Sequence, residues 1–186
     1  MNTYYFDIVV KGIKIQSDED MMCISDLLFE SGCDDAGPTS YNGTLYVSFQ
    51  REAQSYDEAV MSAISDIEKV DNLQCVSVDT DIVNLSDVAK LSGLTRSALA
   101  RFSKGTRGKG NFPTPVSRID SATPLWKWSE IAEWLESHKG LDCEVVEQAR
   151  FNEEINFALS IRNNNSMGVI SSRVAELNKN NAGLTA

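Results

Sequence analysis

At 186 residues, 42% hydrophobic and 24% charged, the chain has the composition of an ordinary globular protein long enough to bury a sizeable core. No apolar run approaches the ~20 residues of a membrane span, and residues 1–6 lack the basic start of a secretory leader, so a cytoplasmic protein without a membrane partner is expected. With one histidine (His138), four scattered cysteines (Cys23, Cys33, Cys75, Cys143) and no C-x-x-C pair, a zinc site or disulfide framework is not expected, and the thiols read as buried and reduced.

Charge divides unevenly along the chain. Residues 1–80 hold 4 basic and 15 acidic residues, residues 81–119 hold 7 and 2, and residues 120–186 hold 6 and 10. A net charge of −10 would ordinarily argue against a nucleic-acid partner. The basic island reverses that, because association follows the local field.

Residues 1–80 read as an acidic α+β domain. Tyr4, Phe6, Ile8 and Val10 alternate with Tyr5, Asp7, Val9 and Lys11, the period of a β-strand. Ser17, followed by Asp18-Glu19-Asp20, is an N-cap with acids in the first turn. The helix presents Met21, Ile24, Leu27 and Leu28 inward and stops at Gly32. Asn42-Gly43, before the alternating run 44–49, predicts a hairpin with a type I′ turn. Ser55-Tyr56-Asp57-Glu58 is a capping box for a second helix, whose stripe is Ala59, Val60, Ala63, Ile64, Ile67 and Val70. A strand over 73–78 completes β-α-β-β-α-β, the ferredoxin-like order. The acidic runs 18–20 and 34–35 lack the spaced donors of a calcium loop and read as capping and solvation. This domain is expected to bind a protein partner or effector, or to dimerise, rather than to touch DNA.

Residues 81–140 carry the strongest signal. Ser86 is read as the cap of a short helix with Val88, Ala89 and Leu91 inward. Gly93 supplies the left-handed turn, and Thr95 caps a second helix with Ala98, Leu99 and Phe102 inward. Arg96, Ser97, Ala100 and Arg101 are left outward, as in a helix-turn-helix whose second helix, Thr95 to Phe102, enters the major groove. Residues 104–110 carry three glycines and three cations and suit a phosphate backbone. They lack the G-x-x-x-x-G-K-[ST] string of a nucleotide loop. Phe112-Pro113-Thr114-Pro115-Val116 then runs extended. Arg118 and the segment 125–128 read as the two sides of a β wing. Ser129 is read as the cap of a helix with Ile131, Ala132, Trp134 and Leu135 packed. Trp126, Trp128 and Trp134 read as core rather than base-stacking platforms.

The helix pair 85–102, the run 112–116, and Trp128-Ser129-Glu130-Ile131 leading to Trp134-Leu135 resemble the winged helix-turn-helix of the AlpA and excisionase-like regulators, relatives of the MerR DNA-binding domain. The resemblance covers about residues 83–135. It implies sequence-specific double-stranded DNA binding, with the second helix in the major groove and the wing on backbone or minor groove. Arg96, Ser97 and Arg101 are the candidates for base edges or adjacent phosphates, and Thr95 caps its helix beside phosphate. Lys104, Arg107, Lys109 and Arg118 are the candidates for backbone contacts.

Residues 141–163 form a broken amphipathic stripe (Val145, Val146, Ala149, Ile155, Ala158, Leu159), expected to pair two copies into a homodimer. Residues 164–186 read as a polar, largely flexible tail with at most a short helix near 172–177. No paired nucleophile and base, metal cluster or phosphate loop appears, so no enzyme, cofactor or metal is expected. The leading expectation is a transcriptional regulator, an autoregulating repressor. The alternatives are an excisionase-like architectural protein and an antitoxin-like neutraliser that also represses its operon.

Overall fold

The computed structural model describes residues 1–108 and 110–182, and the chain is α+β. Strand β1 (Asn2–Lys11) is followed by helix α1 (Asp18–Ser31), strands β2 (Ala36–Tyr41) and β3 (Thr44–Ala53), helix α2 (Tyr56–Ile67) and strand β4 (Gln74–Val78). The four strands form one antiparallel sheet in the order β2-β3-β1-β4. Its centre is the long β1/β3 ladder, from Asn2 opposite Ala53 to Val10 opposite Leu45. Both turn residues of the β2–β3 hairpin take positive φ, +51° at Asn42 and +78° at Gly43, which is what the Asn-Gly pair supplies.

Alternation puts Tyr4, Phe6, Ile8 and Val10 of β1 and Leu45, Val47 and Phe49 of β3 on one buried face. Ile24 and Leu28 of α1 and Ala59, Val60, Ala63, Ile64 and Ile67 of α2 complete that core. Of the expected members, Leu27 is exposed, whereas Val70, in the turn after α2, is half-buried against this core. The Ser17 cap is a full box with Asp20, whose carboxylate accepts from the Ser17 N–H and stays below the usual carboxylate range through its hydrogen bonds to Gln16 and Ser17. At α2 the box is half made. Ser55 accepts from the Glu58 N–H, but Glu58 reaches one residue further, to the Gln54 N–H.

Arg51 lies on the core face of β3, and all its donors are used. It forks onto Asp35 (2.8 and 2.9 Å), reaches Asp66 (2.8 Å) and Ser62 (3.1 Å), and donates to the Gly32 carbonyl (3.0 Å). Asp35 is therefore the partner of a buried arginine, not merely a solvated charge.

The second unit contains β5 (Ile82–Val83), α3 (Leu85–Ser92), α4 (Arg96–Ser103), β6 (Trp126–Lys127) and α5 (Trp128–Lys139), with β5 and β6 antiparallel. Its core gathers Val83, Val88, Leu99, Phe102, Ile131, Leu135 and all three tryptophans. Three local expectations are corrected. Asn84, not Ser86, caps α3, accepting from the Ser86 and Asp87 N–H groups while Asp87 accepts from the Asn84 N–H. Leu91 is exposed. Ser129 caps nothing: it is buried one residue inside α5, and its hydroxyl donates to Glu153.

Helix α6 (Cys143–Asn163) joins the two units. Val146 and Ala149 enter the second core and Leu159 the first. Its face was expected to await a second chain, but it is packed within its own, and Ala158 of the predicted stripe is exposed. At the edge of β4 its hydrogen bonds are made by amides. Asn156 accepts from the Val78 N–H (2.7 Å) and donates to the Val78 carbonyl (3.0 Å), while Asn163 donates to the Cys75 carbonyl (2.8 Å). Seven helical residues rise about 10.5 Å and three strand residues span about 10 Å, so the two asparagines meet the free edge of β4 in step. Glu68 covers the Cys75 N–H and forks with Arg162. The edge is thereby closed to a further strand.

Helix α7 (Met167–Ala182) replaces the expected flexible tail over that range, while residues 183–186 lie outside the described residues. Cys33 and Cys75 are buried, and burial raises both thiol pKa values. Cys23 and Cys143 are exposed, against expectation. Among the described residues, no helix is long and apolar enough to cross a membrane.

Candidate nucleic-acid interface

The helix pair is built from local signals. Gly93 ends α3 at φ +68°, a left-handed conformation with open space around it, so backbone freedom rather than packing calls for glycine. The Ser92 hydroxyl donates to the Val88 carbonyl (2.6 Å) and accepts from the Leu94 N–H (3.3 Å), tightening the turn. Thr95 caps α4 by accepting from the Ala98 N–H (3.2 Å). With Ala98, Leu99 and Phe102 buried, Arg96, Ser97 and Arg101 are exposed on the opposite face and Ala100 lies half-buried beside them. Thr95, Arg96, Ser97 and Arg101 thus share one two-turn helix and its cap.

The following loop is more tightly held than its glycines suggest. The Arg101 carbonyl accepts from the Thr106 N–H and hydroxyl and from the Arg107 N–H. Gly108 packs against the Phe102 ring, and Trp134 donates its indole N–H to the Gly110 carbonyl (3.2 Å). Lys104 and Arg107 are therefore carried at the C-terminal end of α4, with the Arg107 guanidinium 5.5 Å from the Phe102 ring centre. Lys109 lies outside the described residues.

Arg118 sits apart, exposed at φ +52°, where the chain turns between Ser117 and Leu125. That excursion is pinned by one antiparallel bridge, Ser117 to Leu125, with the Val116 N–H also donating to the Leu125 carbonyl (2.7 Å). Segment 125–128 was expected as one side of a wing, yet only its first residue, Leu125, pairs across this excursion. Trp126 and Lys127 pair instead with β5, and Trp128 begins α5. The three tryptophans are core residues, with Phe112 edge-on to both Trp126 and Trp134.

The ion pairs separate two populations of arginine. Outside residues 81–119, Arg51, Arg150, Arg162 and Arg173 each bond a carboxylate. Inside that segment, Arg96, Arg101, Arg107 and Arg118 are all exposed and enter no ion pair among the described residues. Each leaves a planar five-donor fork free for a bidentate acceptor such as a guanine edge or a phosphate.

Charge counting over 81–119 missed one neighbour. Lys139, at the end of α5, places its ammonium 4.8 Å from the Phe102 ring centre, on the ring that also carries Arg107. Basic residues in the last turn of α5 (His138, Lys139) were the available sign. No protein-family profile, curated protein or solved structure matches the chain.

Proposed function

We propose that this protein is a double-stranded DNA-binding transcriptional regulator, an autoregulating repressor. Its second unit is a winged helix-turn-helix of the AlpA and excisionase-like kind, and its first unit a ferredoxin-like domain. The observation that carries the reading is the set of uncommitted arginines. In a chain with 27 acidic and 17 basic side chains, the four exposed arginines of residues 81–119 have no carboxylate partner among the described residues, two of them on the outer face of the second helix of the pair. Such free cations can displace the counterions condensed on a phosphate backbone. Arg96, Ser97 and Arg101 read base edges, Thr95 lies beside phosphate, and Lys104, Arg107, Lys109 and Arg118 hold the backbone. The strand order β2-β3-β1-β4, with both helices on one face, supports the ferredoxin-like assignment.

The reading needs two copies, because operators are read by symmetric dimers. Since α6 is occupied within its own chain, α7 is the pairing element in this account. Met167, Ile170, Val174 and Leu177 follow the 3-4-3 spacing of a two-helix seam, and Met167, Val174 and Leu177 are exposed. An isolated 16-residue helix rich in serine and asparagine is marginal in water, and a second copy of the same stripe supplies what it lacks.

The test is fluorescence anisotropy with DNA from upstream of the protein's own gene and with scrambled DNA, comparing the native protein with Arg96→Ala plus Arg101→Ala. The reading predicts preference for the upstream fragment, lost in the double variant. Equal binding of the two DNAs by the native protein would overturn it.

A further inference from the structure

Where the sheet meets the helical unit there is a cleft of about 570 Å³, within the roughly 300–1,000 Å³ typical of small-molecule sites. One wall is the helix-free face of the sheet, with Tyr5 and Asp7 of β1 and Tyr46 of β3. The other includes Leu91 of α3 and Val145 of α6, and Asp79, just after β4, lies between them. The walls are mainly apolar and aromatic. Tyr5 is 68% and Leu91 44% exposed, so large apolar side chains face into it uncovered.

The charged groups of this cleft are carboxylates. Its lining includes Asp7 and Asp79 and no lysine, arginine or histidine. Neither aspartate enters an ion pair among the described residues, although Asp35, Asp66, Glu68, Glu133 and Glu153 all do. Asp79 is met only by neutral donors: the Asp7 N–H (2.7 Å), the Tyr56 hydroxyl (3.2 Å) and the Asn152 amide (3.5 Å). It is open to the cleft yet walled by protein on most sides. That loss of hydration raises its pKa, and the charge of Asp7 adds to the effect. The surrounding acidic unit, with 15 acidic and 4 basic residues, extends the same field into solvent.

We infer that this cleft binds a small organic ammonium ion with an aromatic or aliphatic body, its charge held by Asp79 and Asp7 and its body between Tyr5, Tyr46, Leu91 and Val145. The carboxylates provide the anion a desolvated ammonium needs, and tyrosine faces attract cations in the same site. The proposal stands apart from the DNA-binding reading and is tested by direct binding.

The experiment is calorimetric titration of the full chain with three molecules sharing one ring system: tryptamine, neutral tryptophol and anionic indole-3-propionate. Tryptamine is expected to bind one per chain, at least about tenfold tighter than tryptophol, with the anion weakest. Asp7→Asn and Tyr5→Ala, both at exposed positions, are expected to weaken tryptamine by about fivefold or more while keeping the native melting temperature. Val145→Trp fills the cleft without changing charge and is expected to abolish binding. Tryptophol binding as tightly as tryptamine, unchanged affinity in both exposed variants, or no saturable heat at millimolar tryptamine would each overturn the proposal.

Discussion

Asn156 offers the sharpest test of how the two units are joined. Its amide is buried, and it satisfies both backbone groups of Val78 on the outer edge of the sheet. Replacement by alanine orphans the N–H and carbonyl of Val78, a residue that is itself fully buried. At about 1–3 kcal/mol for each of the two unsatisfied groups, Asn156→Ala should lose about 2–6 kcal/mol, a large share of a domain's whole stability. Asn156→Asp sharpens the point. A carboxylate still accepts from the Val78 N–H but repels the Val78 carbonyl, whereas the protonated acid donates to that carbonyl as the amide did. The folded-state pKa of the new aspartate is thus raised above its unfolded value of about 3.9. Its stability is then full below that value and lost as pH rises through the folded pKa. Urea unfolding of the native protein and both variants, at about pH 4.5 and pH 8, reads the result as the difference of each variant from the native protein at the same pH. An alanine variant within about 0.5 kcal/mol of native, or an aspartate variant equally impaired at both pH values, would mean that Asn156 does not hold the β4 edge in this way.

Three further outcomes follow from the same contacts. Arg51→Leu leaves Asp35 without its cation and Asp66 with Lys69 alone, and should cost about 3–5 kcal/mol in urea unfolding; a loss under about 1 kcal/mol would mean the network contributes little. Glu153 accepts from Lys127 and Ser129, and these bonds hold its carboxyl below the usual range. Its stabilisation is present above the unfolded pKa and lost as pH falls through the folded one. Glu153→Gln should therefore cost about 1 kcal/mol near neutrality and nothing in acid, where the native carboxyl is also neutral. Ile170→Glu plus Val174→Glu places charge in the proposed α7 seam and should give monomers by sedimentation at concentrations where the native chain sediments as a dimer, with the melting temperature of each unit preserved.

The first unit was largely legible because its signals are local. Period-two alternation in β1, the Ser17 cap and Asn42-Gly43 each specify backbone over a few residues. Ser86 and Ser129 misled for a related reason: a serine near a helix start looks like a cap wherever it falls. The feature that distinguishes Asn84 is the acid three residues on, Asp87, which completes a box. At Ser129 the deciding partner is Glu153, 24 residues away, which no local spacing announces. Helix α6 was misread because apolar periodicity detects only faces packed on apolar surface. Half of its inner face meets the backbone of a strand edge, so its code is amide side chains at 156 and 163. The asparagines and serines of 164–182 concealed a helix whose apolar stripe was nevertheless in the sequence. The helix pair α3 and α4, with Arg96, Ser97 and Arg101 on its exposed face, was readable because its caps and its glycine turn lie close together along the chain. The cleft was not, since its walls come from β1, β3, α3, α5 and α6.

Whether the free arginines meet DNA is read from the salt dependence of binding. Affinity for the upstream duplex should be measured across sodium chloride concentrations for the native chain, for Arg96→Ala plus Arg101→Ala, and for Lys104→Ala plus Arg107→Ala. The account predicts that log affinity falls linearly with log salt, and that the Lys104/Arg107 variant loses about two units of slope while still preferring the upstream sequence. The Arg96/Arg101 variant should lose that preference. A native chain that binds no duplex even at low salt, or three identical salt slopes, would contradict the claim.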